Sequence, residues 1–321
     1  MDLPYMQSIG FTCSDASSLA EWYGRWLGFQ AVEETLHQAD AYCSLVGLPG
    51  ARLRRLALEL GEERLELSEV IDPGPGARAG RPLPADSRSC DLWFQHIALV
   101  VPAMGAVAPA IEEQVRCGPL LPISTAPQRL PDWNAGAAGI VAYKFHDPDG
   151  HPLELLQFPP DKGDARWHRL SGAAVLGIDH SAIGSSDPER TARFYGDLLG
   201  LASGGGGTNS GPEQDRLDGL EGTEVRIGAW RPLHGMGIES LAYRQPAGGR
   251  PQPADFGAQD LSHWQIRLEV SDPEAIAARL CAYGGTAISP GPVELDDLLP
   301  PFRRALQVAD PDGHRLQLVS R

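Results

Sequence analysis

Hydrophobic positions along this chain switch between a period of two and a period near 3.6, and the switch recurs four times. Residues 7–13 alternate as a half-buried strand does. An apolar stripe then opens at Asp15 and runs to Leu27, with Leu19, Trp22, Tyr23 and Trp26 on one helical face and Gly28 as its stop. A closing strand follows at 63–70. The same order returns as strand 93–101, a helix from about Met104 to Cys117 and a hairpin around Asp147–Gly150. It returns again as strand 178–184, a helix from about Asp187 to Leu199 stopped by Gly200, and a closing strand 236–242. The last copy is strand 263–270, a helix from about Pro273 to Tyr283 and a hairpin around Asp310–Gly313. Each copy reads as a strand, a helix and three strands.

The repetition is also literal. "FHDPDGHPLELLQF" (145–158) pairs with "VADPDGHRLQLVSR" (308–321), and "RPLPADSRSCDLWFQH" (81–96) with "RPQPADFGAQDLSHWQ" (250–265). "LAEWYGRWLGF" (19–29) pairs with "TARFYGDLLGL" (191–201). The chain is therefore two copies of a larger unit. These are residues 1–160 (modules 1–72 and 91–160) and 176–321 (modules 176–245 and 261–321), joined by a linker at 161–175. Segments 72–90, 160–175 and 244–260 are rich in Pro, Gly and polar residues and read as connectors. "SGGGGTNSGPEQ" (203–214) is either a loop over a pocket or a long hairpin. It is no phosphate loop, because no Lys-Ser/Thr pair follows it.

Composition narrows the function. The 321 residues are 42% hydrophobic and 21% charged, an ordinary globular balance. A net charge of −15 excludes nucleic acid and an anionic membrane surface, both of which need a basic face. No run of about 18 apolar residues is present to span a bilayer. "MDLPYMQSIGF" lacks the basic start of a signal peptide. Five cysteines without close pairs fit reduced thiols and give no CxxC metal signature. The expectation is a cytoplasmic chain, monomer or homodimer, whose partner is a small molecule.

Tandem βαβββ modules with "DPDGHPLEL" and "ARFYGDLLGL" signatures resemble the vicinal oxygen chelate superfamily, the group of glyoxalase I, extradiol dioxygenases and bleomycin-resistance proteins. The resemblance spans nearly the whole chain. It implies an α+β fold in which four modules form two half-open mixed-sheet barrels with helices outside. In metal-using members, the first and last strands of each module point ligands into the barrel. The first-strand positions here are Ser8, His96, His180 and Gln265, each seven residues before the start of its helix. The last-strand positions are Glu66, Glu154, Glu239 and Gln317. Strand alternation agrees on direction, since Leu153 and Leu155 take the face opposite Glu154.

Modules 2 and 3 keep both a His and a Glu. Module 1 keeps only Glu66, and module 4 neither. Pairing 1+2 and 3+4 gives two damaged sets. Pairing 2+3 and 1+4 gives one barrel with His96, Glu154, His180 and Glu239 and another with Ser8, Glu66, Gln265 and Gln317. The clean segregation favours the second arrangement, because four N/O donors together suit a divalent ion. In the first arrangement, His263 joins His180 and Glu239 in a two-His, one-carboxylate triad. His146, His151 and His314 flank hairpin turns and are expected at the surface. Trp93, Tyr143, Trp230 and Trp264 either line clefts or belong to the core.

By the resemblance, a two-His, two-Glu set with one divalent ion per chain (Ni, Co, Mn, Zn or Fe) implies glyoxalase-type chemistry. That is proton transfer beside a carbonyl of a substrate with vicinal oxygens, by an isomerase, epimerase or lyase, with Glu154 and Glu239 as the bases. Aromatic side chains lining a cleft would suit a sugar-like ring, a cyclitol ketone or an aromatic compound. An Fe(II) extradiol-type dioxygenase is the alternative, and a metal-free binding or resistance protein the second alternative.

Overall fold

The computed structural model describes residues 4–118, 120–169, 171–295 and 302–321. The first module runs β1 (Tyr5–Cys13), α1 (Ala16–Leu27), β2 (Gln30–Gln38), α2 (Ala41–Leu45), β3 (Arg52–Leu60) and β4 (Glu63–Asp72). The second runs β5 (Gln95–Val100), α3 (Met104–Cys117), β6 (Gln128–Arg129), β7 (Val141–His146) and β8 (Pro152–Gln157). The third runs β9 (Gly177–Gly184), α4 (Pro188–Ala192), β10 (Ala202–Ser210), α5 (Pro212–Asp218), β11 (Glu224–Arg231), β12 (His234–Gly235) and β13 (Gly237–Gln245). The fourth runs β14 (Trp264–Glu269), α6 (Pro273–Ala277), β15 (Thr286–Ala287), β16 (Val293–Leu295), β17 (Phe302–Ala309) and β18 (Arg315–Ser320).

The strands form two curled mixed sheets. One has the order β15-β17-β18-β14-β1-β4-β3-β2, and the other β10-β11-β13-β9-β5-β8-β7-β6. At the centre of each, two first strands pair antiparallel: β1 with β14, and β5 with β9. Each first strand also pairs in parallel with the last strand of its own module. Modules 1 and 4 thus share one sheet, and modules 2 and 3 the other, except that the short β12 of module 3 pairs with β1. Each half of the sequence contributes one module to each sheet.

Local chemistry explains the helix ends. Asp15, Asp187 and Asp272 each accept a backbone N–H from the first turn that follows, as N-caps do. Gly28 ends α1 at φ 81°, a conformation that favours glycine. The expected single helices of modules 3 and 4 are broken. α4 continues as a π-turn over Arg193–Leu198, and α6 gives way to a 3-10 turn at Leu280–Tyr283. In the π-turn, Phe194 and Tyr195 are fully buried, so packing sets the helical register there. The glycine-rich 203–210 segment belongs to β10, which forms the long hairpin with β11.

The Asp-Pro-Asp-Gly turns are clamps between the sheets. Asp147 accepts the His151 N–H and, through its other oxygen, the Tyr23 hydroxyl at 3.1 Å and His151 Nδ1 at 2.9 Å. His151 Nε2 reaches the Thr12 carbonyl at 2.9 Å, across to the other sheet. Asp149 accepts from the Ser14 backbone and hydroxyl. The second turn repeats the arrangement. Asp310 accepts from Tyr195 Oη at 3.0 Å, His314 Nε2 lies 2.6 Å from the Gly184 carbonyl, and Asp312 holds Ser186. His151 and His314 are therefore buried rather than at the surface, and only His146 is partly exposed. Sequence distance hid this, because the partners lie more than a hundred residues away.

The two "RP-PAD" connectors clasp each other reciprocally. Arg81 bonds Asp260 and Asp255, while Arg250 bonds Asp91 and Asp86. Tyr23→Phe and Tyr195→Phe should each destabilise the protein by about 1.5–3 kcal/mol, because each removes a buried hydrogen bond to a carboxylate. Urea unfolding monitored by tryptophan fluorescence measures this. A change within about 0.5 kcal/mol for both variants would show that the clamps carry no stability.

Candidate metal centre

The centre of the module 2–3 sheet brings the expected donors together. In the β5–β9 register, His96 faces Ala182 and Ala98 faces His180, so the two histidines are diagonal neighbours on one face. Glu154 lies in register with Ala98 and Glu239 with Ala182. The imidazole centroids are 6.0 Å apart. Donor atoms of His96, His180 and Glu239 lie within 4.8 Å of one another, the one such group of possible metal donors among the described residues. Glu154 stands just outside it, with Oε2 3.1 Å from His96 Nε2.

Burial and charge make this spacing informative. His96 is 0% exposed, Glu154 6% and His180 7%. His180 Nδ1 is held by Asp179 at 2.9 Å, which leaves Nε2 facing Glu239 at 3.6 Å. That Nε2 is buried with no hydrogen-bond partner among the described residues. A carboxylate behind one ring nitrogen and a vacant second nitrogen among other donors is the arrangement a metal-ligating histidine takes. The residues present fit a divalent ion: His96, His180 and Glu239 would hold it, with Glu154 beside them.

Burial alone would lower the His180 pKa, but Glu239 and Asp179 outweigh it and raise it to about 10. For Glu154, burial pushes up while Lys144, His96 and His180 pull down further, to about 2. Burial also lowers His96, with Glu154 opposing.

Several neighbours were missed in the sequence. Lys144 is 3% exposed, sits in register with Glu154 on β7, and has Nζ 3.9 Å from Glu154 Oε1 and 2.7 Å from Asp218 Oδ1. Asp218 also accepts from Tyr243 Oη and Gln214 Nε2. Alternation in "VAYKFH" was the available signal: Lys144 lies between Tyr143 and Phe145, which take the other face. Asp179 is fixed by Trp167 Nε1 and Arg231, and no pattern marked it.

Glu154, His180, Glu239 and Lys144 open onto a cavity of about 1100 Å³. Trp93, Tyr143, Trp230 and Trp264 do not border it. Trp264 stacks on Phe11 at 4.8 Å, and Tyr143 stacks on Phe145.

The matching place in the module 1–4 sheet is filled. Arg267 takes the register position of Ala98 and forks onto Glu66, with Nη2 2.8 Å from Oε2. Its Nε donates to Gln317 Oε1 at 3.0 Å, and Nη1 reaches Ser8 Oγ at 3.3 Å. Gln317 in turn donates to Gln265, and Gln265 to Tyr42. Arg55 Nη1 also lies 3.3 Å from Glu66 Oε1. Burial raises the Glu66 pKa, but Arg267 and Arg55 bring it down to about 2. A guanidinium therefore stands where the other barrel presents vacant donors.

The His180–His263–Glu239 triad does not form. His263 lies at the start of β14, in the other sheet, where its Nδ1 is 3.3 Å from Thr12 Oγ1 and burial lowers its pKa to about 3.

In the ion-free protein, the raised His180 pKa means a proton is held at pH 7, whereas an ion takes neutral imidazole. Zn²⁺ uptake at pH 7 should therefore release about one proton, and affinity should rise with pH up to about 10. By the same sign, the protonated His180 contributes stability below its ordinary range near 6.5 that is lost as pH climbs through about 10. Calorimetry in buffers of different ionisation enthalpy reads the proton directly, and uptake with no proton release would contradict the assignment. His96→Ala and His180→Ala should each lose most of the metal, while Ser8→Ala, Gln265→Ala and Gln317→Ala should leave content near one ion per chain.

Comparison with known proteins agrees with this architecture. Residues 5–155 match the model of the Glyoxalase/Bleomycin resistance protein/Dioxygenase superfamily, and residues 180–319 match that of the Glyoxalase-like domain. Among curated proteins, no sequence matches the chain. Glyoxalase I from Zea mays superposes over 99% of this chain and 92% of its own, with TM-score 0.61 at 15% identity. A Bacillus subtilis protein assigned provisionally as a dioxygenase superposes over 98% of this chain and 84% of its own, with TM-score 0.56 at 17% identity. At such identities the structural likeness speaks for the fold, and the two matched models together run from the first strand to the last. The chain belongs to the glyoxalase/bleomycin resistance/dioxygenase superfamily, with the vicinal oxygen chelate fold.

Proposed function

We propose that the protein is a metal-dependent enzyme of glyoxalase type. It moves a proton at the carbon beside a carbonyl, in a substrate with two adjacent oxygens, as an isomerase, epimerase or lyase does. The observation that carries this reading is a second carboxylate. Glu154 sits beside the His96–His180–Glu239 donors, and Lys144, His96 and His180 keep it ionised against its burial, with a pKa of about 2. Oxygen activation on Fe(II) favours three protein ligands and open positions. A fourth donor, itself a carboxylate, would compete for one of those positions and suits Lewis-acid chemistry better.

A divalent ion at this site supplies Lewis acidity toward the two substrate oxygens. The chain's own residues do the rest. His180 is fixed in orientation by Asp179, and Asp179 by Trp167 and Arg231. Lys144 steadies Glu154 at the carboxylate oxygen that His96 does not contact. Glu239, on the far side of the site, is the more exposed carboxylate, at 23% of its side chain. Two carboxylates on two sides of one cavity suit removal of a proton from one face and its return to the other.

The second reading, a dioxygenase, draws on the same group. His96, His180 and Glu239 converge more closely than Glu154 does, and two histidines with one carboxylate is the donor set of non-haem Fe(II) oxygenases.

Incubation of α-hydroxyketones such as 2-hydroxycyclohexanone in D₂O with Zn²⁺-, Ni²⁺- or Mn²⁺-loaded protein separates the two. Deuterium should appear at the carbon beside the carbonyl under anaerobic conditions. Glu154→Gln and Glu239→Gln should slow that exchange by roughly 10²–10⁴-fold. Catechol consumption that requires Fe(II) and O₂, without any exchange, would move the assignment to the dioxygenase.

A further inference from the structure

The two carboxylates of the site stand in unequal surroundings. On the strand that precedes each last strand, one residue sits in register with the ligand position. These residues are Ala57 beside Glu66, Lys144 beside Glu154, Ala229 beside Glu239 and Gln307 beside Gln317. An ammonium therefore neighbours one carboxylate of the module 2–3 site, and a methyl group the other. In module 4 both members of the pair are glutamine, so the ammonium is absent where the carboxylate is absent.

Lys144 is held in place from behind. It is 3% exposed, and its Nζ donates to Asp218 Oδ1 at 2.7 Å. Asp218 is 2% exposed, and its Oδ2 accepts from Gln214 Nε2 at 2.7 Å and from Tyr243 Oη at 2.9 Å. The two backbones are tied as well. The Lys144 N–H donates to Ser124 Oγ, Ser124 Oγ to the Leu217 carbonyl, and Ser89 Oγ to the Asp218 carbonyl. An ammonium fixed in this way cannot follow a carboxylate that moves.

A structural ion pair between Lys144 and Asp218 needs no third charge. Lys144 nevertheless borders the cavity, with Nζ 3.9 Å from Glu154 Oε1. That gap is too long for a hydrogen bond. What remains is a through-space attraction, stronger at a buried position than in water. It acts at the oxygen that His96 does not contact. Donor atoms of His96, His180 and Glu239 converge within 4.8 Å, and Glu154 stays outside that group.

We propose that Lys144, braced by Asp218, is a positioning residue that makes the two carboxylates unequal. Glu239 is the standing ligand. Glu154 competes for its place more weakly and is free to leave it and take the proton, while the C–H electron pair moves toward the substrate's carbonyl oxygen. These roles rest on the metal-dependent reading above, whereas the inequality itself rests on Lys144.

Titration with Co²⁺, followed by its visible absorption, measures the inequality. Glu239→Gln should weaken Co²⁺ binding by about 100-fold, and Glu154→Gln by less than about threefold. Lys144→Met should tighten binding by about tenfold, because Glu154 then ligates firmly, and the gain should vanish in Lys144→Met/Glu154→Gln. Deuterium uptake by 2-hydroxycyclohexanone should fall by about 10²-fold in Lys144→Met, even with Co²⁺ saturating. Unfolding midpoints check that the variants fold, and the comparison of Glu154→Gln with Glu239→Gln keeps Lys144 in place and stands without the others. Equal losses from those two variants, or no gain from Lys144→Met, would overturn the proposal. A gain that persists without Glu154 would overturn it too, because Lys144 would then act on the ion as a distant charge alone. The expected affinities without any deuterium uptake would uphold the inequality and remove the proton-transfer reading. No Co²⁺ uptake by the wild-type protein would remove the metal-dependent reading, and this proposal with it.

Discussion

A carboxylate aimed into a half-closed barrel must be compensated, and much of this molecule follows from how each barrel meets that need. Burying an ionised group without a partner costs several kcal/mol. In the module 1–4 barrel, Glu66 is answered from within the chain by the Arg267 fork and by Arg55. In the module 2–3 barrel, Lys144 answers Glu154 in part, and Glu239 faces a histidine nitrogen that has no other partner among the described residues. The first solution is closed within the chain. The second leaves donors facing one another in a cavity, an arrangement that fits a divalent ion.

The same duplication explains why the hairpin turns outlast the ligands. Asp147 and Asp310 each hold a tyrosine of one helix and the backbone N–H of a histidine that crosses to the other sheet, and Asp147 also holds the ring of its histidine. Losing that clamp would loosen the contact between the sheets, whichever barrel carries the chemistry. The strand position two turns of the pleat beyond it is free of that duty. Glu154 faces donors there, while its counterpart Gln317 carries no charge and bridges Arg267 and Gln265.

Much of this was legible in the sequence. The four modules followed from alternating periods and internal repeats, and the segregation of His and Glu into modules 2 and 3 anticipated which strands share a sheet. His96 and His180 were visible because each sits seven residues before the start of a helix. Partners defined by contact across sheets were not visible. The burial of His151 and His314 depends on Thr12 and Gly184, far away in the chain. Lys144 reads as an ordinary surface residue until β7 is known to face Glu154. Arg267 was hidden in the same way, since an arginine in a strand signals nothing until the opposing Glu66 is placed. The glycine run left hairpin and loop equally open, because glycine carries no periodic signal of its own.

The claim that one barrel takes an ion while the other supplies its own cation is tested most directly by anomalous diffraction at the zinc edge, from crystals grown with excess Zn²⁺. The account predicts one strong peak per chain, bounded by His96, His180 and Glu239, and none beside Glu66, where Arg267 already sits. A peak in the Glu66 pocket, or no density between the two histidines at saturating zinc, would contradict it.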